Sequence, residues 1–270
     1  MKIFDTKLQS QKIEQEILYE LDEHPQKREK TLAILQIGDD ASSEKFIKIK
    51  LSLCEKLGIK CDVLRLNDRL SDEVIFDQVR KIFENKNVSG GIIQLPLPRK
   101  SLDKVLELIP VEKDIDVISF EGKNKFYSGD FSILPPVIMA FNAFISENKI
   151  KMKSLKSVVV GNGELVGKPI SFFLNKNGAD VNVLTDYDGA GKLNCRLLVL
   201  CAGSPLLVKG DNISVGCDVV DFGSSVVGGK CVGDLDMNSN LEHLGCISKS
   251  PGGMGPLVVR YLLLNWSRTA

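Results

Sequence analysis

The sequence lacks the features of several large classes of protein. Its 35 basic residues are balanced by 35 acidic residues, so there is no net charge to attract nucleic acid or an anionic membrane surface. No apolar run approaches the ~18 to 20 residues that a membrane span needs. The amphipathic N-terminal segment carries charges throughout, unlike a signal peptide. These absences predict a cytoplasmic protein that binds neither nucleic acid nor membrane.

Residues that bind metals or form histidine-based triads are also scarce. Only two histidines occur, His24 and His243, and none of the seven cysteines forms a CxxC pair. Most of the cysteines lie in apolar, strand-like runs, which is typical of reduced and buried residues. The sequence therefore predicts no metal site. The cysteines are Cys54, Cys61, Cys195, Cys201, Cys217, Cys231 and Cys246.

Strand-like and helix-like patterns alternate along the chain, which predicts an α/β protein with largely parallel sheets. The predicted strands of the first half are residues 31–38, 60–66 and 88–98. The predicted strands of the second half begin at Ser157 and continue near residues 180–184, 196–203 and 217–222. A helix opened at residues 100 and 101 is predicted to end at Pro110, and an apolar helix is predicted at the C-terminal end.

The pattern loosens between Val111 and Pro136, which predicts a boundary between two domains. We expect an N-terminal α/β domain formed by residues 1–134 together with 251–270. Residues 135–250 have the alternation of a Rossmann-like dinucleotide-binding domain with a parallel sheet.

The segment from Asp40 to Leu57 predicts an amphipathic helix with one lysine in its apolar face. At about 100° per residue, Lys50 lies near the middle of the apolar arc, one turn from Phe46 and one turn from Cys54. Burial would lower the pKa of its amine and let it exchange protons near neutral pH. Alternatively, the stem follows the apolar face and the ammonium reaches water. The residues of the arc are Ser43, Phe46, Ile47, Ile49, Lys50, Leu51, Leu53, Cys54 and Leu57.

Two further polar residues lie where ligand sites of α/β proteins are often found. Gln94 lies in the C-terminal part of a predicted buried strand, and ligands of open α/β sheets bind at the carboxyl ends of strands. It either holds a lysine amine in one orientation or only caps the strand. Asp116 lies at the predicted domain boundary, where it either binds a small polar ligand or only serves a turn.

A glycine-rich turn follows the β-branched strand that begins at Ser157 and precedes a predicted helix. Gly161, Gly163 and Gly167 have the spacing GxGxxxG. Such glycines let the backbone approach the pyrophosphate of a dinucleotide, although the same pattern also occurs in a simple tight turn.

Together these motifs resemble the methylenetetrahydrofolate dehydrogenase/methenyltetrahydrofolate cyclohydrolase family, of the bifunctional FolD type. The resemblance rests on Ser43, Lys50 and Cys54 of one helix, followed by the segments GIIQLPLP, KDID, GNGELVGKP, VGDLD and PGGMGP. It spans nearly the whole chain, with the motifs in the family's order and spacing.

The resemblance implies a homodimeric enzyme that binds folate in its catalytic domain and a nicotinamide cofactor in its Rossmann-like domain. It implies oxidation of 5,10-methylenetetrahydrofolate to the methenyl form, which is then hydrolysed to 10-formyltetrahydrofolate. By this resemblance Lys50 is the catalytic lysine and Gln94 positions it. The implied substrate-binding residues are Ser43, Phe46, Asp116, Pro251, Gly252 and Gly253. The implied cofactor-binding residues are Gly161, Asn162, Gly163, Gly167, Lys168, Pro169, Asp186 and Ser224.

The chain also departs from the family pattern. Phe46 replaces a tyrosine, Val117 replaces a glycine, and the family's GRS turn is replaced by Gly161-Asn162-Gly163. The family resemblance implies NADP, but this turn lacks the arginine and serine that hold its 2′-phosphate. Asp186 lies 25 residues after Gly161, near the offset of ~20 at which a carboxylate binds the ribose of NAD.

The cofactor choice therefore stays open at the level of sequence, with NAD expected to serve at least as well as NADP. Lys168 and Lys192 are the two cations that could still bind a phosphate. Three other functions remain as alternatives: a cyclohydrolase without dehydrogenase activity, a non-catalytic folate- or nucleotide-binding paralogue, and a two-domain enzyme resembling shikimate dehydrogenase.

Overall fold

The computed structural model describes residues 1–269, without the side chains of residues 41–43 and 45. It is an α/β protein that divides into two compact units. We call residues 11–136 with 259–269 the lysine unit, and residues 1–10 with 137–258 the glycine-turn unit.

Helices and strands largely alternate as far as Leu184, and strands predominate from there to Ser248. The α-helices are α1 (Thr6–Glu23), α2 (Ala41–Leu57), α3 (Asp72–Glu84), α4 (Phe120–Ser128), α5 (Pro136–Glu147), α6 (Gly167–Lys176) and α7 (Met254–Arg268). The strands are β1 (Lys2–Ile3), β2 (Thr31–Ile37), β3 (Lys60–Leu66), β4 (Val88–Ile93), β5 (Lys156–Val160), β6 (Asp180–Leu184), β7 (Leu197–Leu200), β8 (Val208–Lys209), β9 (Asp218–Asp221), β10 (Ser225–Val227), β11 (Lys230–Val232), β12 (Leu235–Asp236) and β13 (Cys246–Ser248). Short 3₁₀ helices cover Pro25–Glu29, Lys100–Leu108, Val111–Lys113 and Gly210–Asn212.

The lysine unit is built on a three-stranded parallel sheet with the order β3-β2-β4. The central strand β2 is buried along almost its whole length. Adjacent glycines of β4 show that both faces are covered: a Cβ at Gly90 would lie 2.6 Å from Trp266 of α7, and one at Gly91 would lie 2.5 Å from Phe83 of α3. Because successive residues of a strand face opposite sides, this sheet lies between two helical layers.

The glycine-turn unit contains a six-stranded parallel sheet with the order β1-β13-β9-β7-β5-β6. Strands β5, β7 and β9 form its buried centre, as expected for a sheet with helices on both faces. The antiparallel hairpin β10–β11 and the short parallel pair β8–β12 accompany this sheet. The topology matches the Rossmann-like domain that the sequence predicted.

The unit boundaries differ from the predicted division of 1–134 with 251–270 and of 135–250. Residues 1–10 belong to the glycine-turn unit, because β1 pairs with β13 through Lys2 with Cys246 and Ile3 with Ile247. Residues 251–258 belong to the same unit. A two-residue strand that pairs with a partner more than 240 residues away leaves no local pattern from which to infer it.

Some predicted elements also change type or extent. The predicted helix before Pro110 is a 3₁₀ helix, and the segment expected to be irregular contains α4. Ser119 caps α4 by accepting a hydrogen bond from the backbone N–H of Gly122, and Gly129 ends it in a left-handed conformation. These are the start and stop residues that a short polar helix needs. Across the part of the chain that the structure describes, no helix is both long and apolar enough to cross a membrane.

Candidate active site

Lys50 of α2 is buried in the lysine unit, with only 7% of the residue exposed. Ile47 and Cys54, one turn away on either side, are fully or almost fully buried. The helix therefore presents Lys50 to the interior rather than to water, so the alternative of a lysine that snorkels to the surface is wrong. Ile49, expected in the apolar arc, is 40% exposed because it lies about 100° around the helix from Lys50.

Gln94 holds the Lys50 amine. Its backbone N–H donates to Leu35 O at 2.7 Å, which fixes the residue just past the end of β4. Its side-chain Oε1 accepts a hydrogen bond from Lys50 Nζ at 2.8 Å, and its Nε2 donates to Leu95 O at 3.1 Å. The second bond orients the amide so that its oxygen faces the lysine. The Lys50 amine thus has a neutral acceptor in a defined direction.

The pKa values of Lys50 and Asp116 shift toward each other. Burial lowers the pKa of Lys50, and the carboxylate of Asp116 opposes that shift. Burial raises the pKa of Asp116 to about 6, opposed by the Lys50 ammonium and assisted by Asp114. Both groups therefore change protonation state nearer to neutral pH than exposed residues of their types do.

Two aspartates of the KDID segment have different surroundings. Asp114 is 2% exposed, and its carboxylate accepts hydrogen bonds from the backbone N–H groups of Ile118 and Ser119 at 3.1 and 2.8 Å. It therefore builds the turn into α4. Asp116 is half-buried, and among charged groups Lys50 has the largest effect on its pKa. Asp116, which is predicted to bind a ligand, is thus distinct from Asp114, which serves the turn.

Val117 follows Asp116 with φ +57°, in the left-handed region that β-branched residues rarely adopt. It occupies the position at which the family pattern has a glycine, and it is buried. Such a conformation costs roughly 1 to 3 kcal/mol and persists only when its surroundings enforce it. The surroundings of Val117 therefore enforce the backbone conformation next to Asp116.

The other residues predicted to bind the substrate lie in different parts of the structure. Phe46 is half-buried one turn before Lys50. The side chain of Ser43 lies outside the described residues. Pro251, Gly252 and Gly253 lie in the glycine-turn unit rather than in the unit of Lys50. Lys50, Gln94 and Asp116 are the predicted residues that the lysine unit brings together.

Cys54 and Cys61 form a pair of thiols beside Lys50 that the sequence did not predict. Cys54 of α2 and Cys61 of β3 share a hydrogen bond, which raises the pKa of the Cys54 thiol and lowers that of Cys61. Both thiols also interact electrostatically with Lys50. Sequence reasoning treated the cysteines singly, because the pair joins a helix residue to a strand residue and no local pattern connects the two.

The glycine turn of the second unit combines tight packing with an open side. Gly161 has φ +105°, and a Cβ there would lie 2.5 Å from Cys201 O; one at Gly167 would lie 2.3 Å from Gly161 O. A Cβ at Gly163 would meet nothing within 4 Å. The protein itself thus requires glycine at 161 and 167, whereas the open side at Gly163 leaves room for a ligand to approach the backbone.

Residues around this turn are tied to neighbours. Gly161 N donates to Leu184 O at 2.9 Å, which joins the turn to the end of β6. Asp186 lies two residues beyond β6, is exposed, and accepts a hydrogen bond from Thr185 Oγ1 at 2.9 Å. Lys168 in the first turn of α6 forms an ion pair with Glu164. Asp186 therefore follows the strand end to which the turn is joined, while the Lys168 ammonium already has a carboxylate partner.

The remaining predicted cofactor residues have simple positions. Asn162 is exposed in the turn, and Pro169 is buried in the first turn of α6. Ser224 is exposed just beyond the carboxyl end of β9, with its Oγ 3.5 Å from Cys231 Sγ. Among the residues that the structure describes, no cluster of three histidine, cysteine or acidic residues is arranged to hold a metal.

These features define a two-domain α/β enzyme with a buried lysine–amide pair in one unit and a dinucleotide-type turn in the other. Residues 4–116 match the model of the tetrahydrofolate dehydrogenase/cyclohydrolase catalytic domain, and residues 135–270 match the model of the corresponding NAD(P)-binding domain. The chain belongs to the tetrahydrofolate dehydrogenase/cyclohydrolase family. The family resemblance found in the sequence is thereby confirmed.

Individual relatives agree with this assignment over full length. The chain is 33% identical to the bifunctional protein FolD of Aquifex aeolicus, covering 97% of this chain and 93% of the relative. It is 31% identical to that of Hydrogenobaculum sp., covering 98% and 97%. The crystal structure of the bifunctional FolD enzyme of Campylobacter jejuni superposes with a TM-score of 0.91 at 29% identity, covering 100% of this chain and 98% of that one.

Proposed function

We propose that the chain catalyses two consecutive reactions of one-carbon folate chemistry. It oxidises 5,10-methylenetetrahydrofolate to 5,10-methenyltetrahydrofolate with a nicotinamide cofactor, and it hydrolyses the methenyl compound to 10-formyltetrahydrofolate. The observation that supports this most directly is the buried hydrogen bond from Lys50 to Gln94, within the segment that matches the family's catalytic domain.

The hydrolysis needs a group that both takes and gives a proton. Water attack on the methenyl carbon releases one proton, and cleavage of one carbon–nitrogen bond requires a proton on the departing nitrogen. The remaining hydroxyl proton leaves to solvent as the formyl C=O forms. Lys50 can serve both steps, because burial lowers the pKa of its amine toward neutrality.

Gln94 and Asp116 have supporting roles in this proposal. Gln94 accepts a hydrogen bond from the Lys50 amine and orients it, and as a neutral group it adds no charge that would raise the lysine pKa. Asp116 accepts hydrogen bonds from the pterin end of the folate. Its pKa of about 6 keeps it mostly ionised at neutral pH, as such an acceptor must be.

The glycine-turn unit fits a dinucleotide, because the turn is open at Gly163 and leads directly into α6. Gly161, Gly163 and the first turn of α6 are the groups that would hold the pyrophosphate. When bound, the nicotinamide accepts the hydride that leaves the methylene carbon. The chain's own contribution is to bind and orient the cofactor.

We further propose that NAD serves at least as well as NADP. A 2′-phosphate needs cations or several donors, and the two lysines considered for this role have other partners. Lys168 pairs with Glu164, and Lys192 Nζ donates a hydrogen bond to Asp211 O. The exposed Asp186 carboxylate beside the turn would repel a phosphate and can accept hydrogen bonds from ribose hydroxyls.

The assay follows the methenyl absorbance in two separate mixtures. In the first, protein and methylenetetrahydrofolate are mixed with NAD or NADP, and we expect the absorbance to appear. In the second, methenyltetrahydrofolate alone is mixed with the protein, and we expect the absorbance to decay faster than without it. Decay of the methenyl absorbance without its formation would favour a cyclohydrolase that lacks dehydrogenase activity. If the absorbance neither forms nor decays faster, a non-catalytic binding protein would be favoured.

The match of both domain models to one folate family does not favour an enzyme resembling shikimate dehydrogenase. Within the proposal, the lysine unit binds folate and the glycine-turn unit binds the cofactor. A homodimer and a cytoplasmic location remain predictions from the resemblance and from the sequence. The mass of the protein in solution tests the first, and cell fractionation tests the second.

A further inference from the structure

Two buried aspartates of the glycine-turn unit have no part in the mechanism above. Asp221 is the last residue of β9, and Asp234 immediately precedes β12; they are 1% and 0% exposed. Buried carboxylates are costly unless other groups donate hydrogen bonds to them. Their partners therefore indicate what they are for.

Asp221 holds the segment that contains Asp234. Its Oδ1 accepts hydrogen bonds from Gly223 N at 2.8 Å and Asp234 N at 3.3 Å, and its Oδ2 accepts one from Leu235 N at 3.1 Å. The backbone N–H of Asp221 in turn donates to Ser248 Oγ at 3.0 Å. The approach is close, because a Cβ at Gly233 would lie 2.0 Å from Asp221 Oδ2.

Asp234 in turn holds the loop that follows β7. Its Oδ2 accepts hydrogen bonds from Ala202 N at 2.7 Å and from Gly203 N at 3.1 Å. Its Oδ1 is buried and has no hydrogen-bond partner among the described residues. A Cβ at Gly223 would lie 2.3 Å from that oxygen, so the Gly223 backbone lies close beside the carboxylate.

This loop packs directly against the glycine turn. Cys201 N donates to Val160 O at 2.8 Å, and a Cβ at Gly161 would lie 2.5 Å from Cys201 O and 2.7 Å from Ala202 N. The peptide between Cys201 and Ala202 therefore limits the space in which the Gly161 turn sits. A shift of that peptide would be transmitted to the backbone that faces the dinucleotide.

We propose that Asp234 is a positioning residue for the nicotinamide cofactor: it fixes the Ala202–Gly203 backbone against the Gly161 turn, and Asp221 fixes Asp234. The inference rests on the proposed function, since it assumes that this turn binds the cofactor. It assigns a cofactor-related role to the VGDLD segment, which the mechanism leaves without one.

A purely structural carboxylate would have a different effect, and the same strand offers a matched control. Asp218 lies at the amino end of β9, and its Oδ1 accepts a hydrogen bond from Cys246 N at 2.7 Å. It thus makes the same kind of bond to a backbone N–H, but at the end of the strand opposite to the Gly161 turn. Its loss should lower stability without changing the turn.

The experiment compares Asp234→Ala, Asp234→Asn and Asp218→Ala with the parent. Dissociation constants for NADH and NADPH are measured by the fluorescence of the bound nicotinamide, alongside methenyl hydrolysis and thermal melting. Asp234→Ala should raise the dissociation constant of the preferred cofactor at least tenfold and leave hydrolysis within twofold. Asp234→Asn, whose amide oxygen still accepts from Ala202 and Gly203, should recover part of the affinity.

Asp218→Ala should lower the melting temperature and keep cofactor affinity within twofold. Unchanged affinity in Asp234→Ala, or equal losses in Asp234→Ala and Asp218→Ala, would overturn the inference alone. If Asp234→Ala does not fold, the test rests on Asp234→Asn. Cofactor affinity of Asp234→Asn equal to that of the parent would then overturn the inference. A parent that binds neither NADH nor NADPH would overturn the dehydrogenase half of the proposed function as well.

Discussion

The two units hold their functional groups in different ways. In the lysine unit, the proposed chemistry depends on one bond between two side chains, from Lys50 Nζ to Gln94 Oε1. In the glycine-turn unit, the shape of the site depends on backbone packed against backbone, as at Gly161 and Cys201. Substitution of Lys50 is therefore expected to end hydrolysis in the first unit, whereas substitution of the exposed residues beside the glycine turn is expected to alter cofactor selectivity in the second.

The largest effect should follow from removing the lysine amine. Lys50→Met keeps the stem in its buried position and should reduce methenyl hydrolysis by ~10² to 10⁴-fold, the usual contribution of general acid–base help. Lys48→Met, which changes an exposed lysine of the same helix, is the matched control and should hydrolyse at the parent rate. Parent-like hydrolysis by Lys50→Met would show that the amine has only a structural role.

The two KDID aspartates separate binding from stability within one segment. Asp116→Ala should weaken folate binding more than tenfold, since a hydrogen bond to a charged group contributes roughly 1.5 to 3 kcal/mol. Its melting temperature should change little. Asp114→Ala removes the acceptor for Ile118 N and Ser119 N, and should lower the melting temperature by several degrees. Folate titration with thermal melting measures both, and the reverse pattern would exchange the two roles.

At the exposed residues beside the glycine turn we expect altered selectivity rather than loss of function. Asn162→Arg combined with Asp186→Ser adds a cation and removes a carboxylate where a 2′-phosphate would approach, and should shift the ratio of kcat/KM toward NADP severalfold or more. Asp188→Ser, which alters an exposed carboxylate two residues away, serves as control. A parent that clearly prefers NADP would contradict the argument and indicate other phosphate ligands.

The smallest effect should be the pH dependence of hydrolysis. Asp116 has a pKa raised to about 6, so its ionised form grows as pH rises through that value. The lowered pKa of Lys50 makes its neutral form easier to reach as pH rises. Hydrolysis should therefore increase severalfold between about pH 5 and 8, and Asp116→Asn should flatten the rise near 6. A flat parent profile would mean that neither protonation state limits the rate.

The sequence predicted those parts of the fold and site that follow from local pattern. Strands β2 and β3 and the helix of Lys50 carry patterns visible in one segment. The same reasoning found Gln94, because it directly follows a buried strand.

What the sequence could not predict depends on contacts between distant segments. The pairing of β1 with β13 and the hydrogen bonds from Ala202 and Gly203 to Asp234 join residues far apart in the chain. Ile49 was wrongly placed inside because a broad apolar arc does not reveal how much of it a neighbour covers. Local periodicity gives a direction around a helix, whereas burial depends on what packs there.

The pairing of β1 with β13 also determines how the protein can be divided for study. A fragment that starts at the apparent linker near residue 135 would include β13 but not Lys2 and Ile3, which pair with Cys246 and Ile247. The backbone N–H and C=O groups of β13 would then form an exposed sheet edge, where another chain can pair. Such a fragment should self-associate, and fusing residues 1–10 to it through a flexible linker should suppress that association.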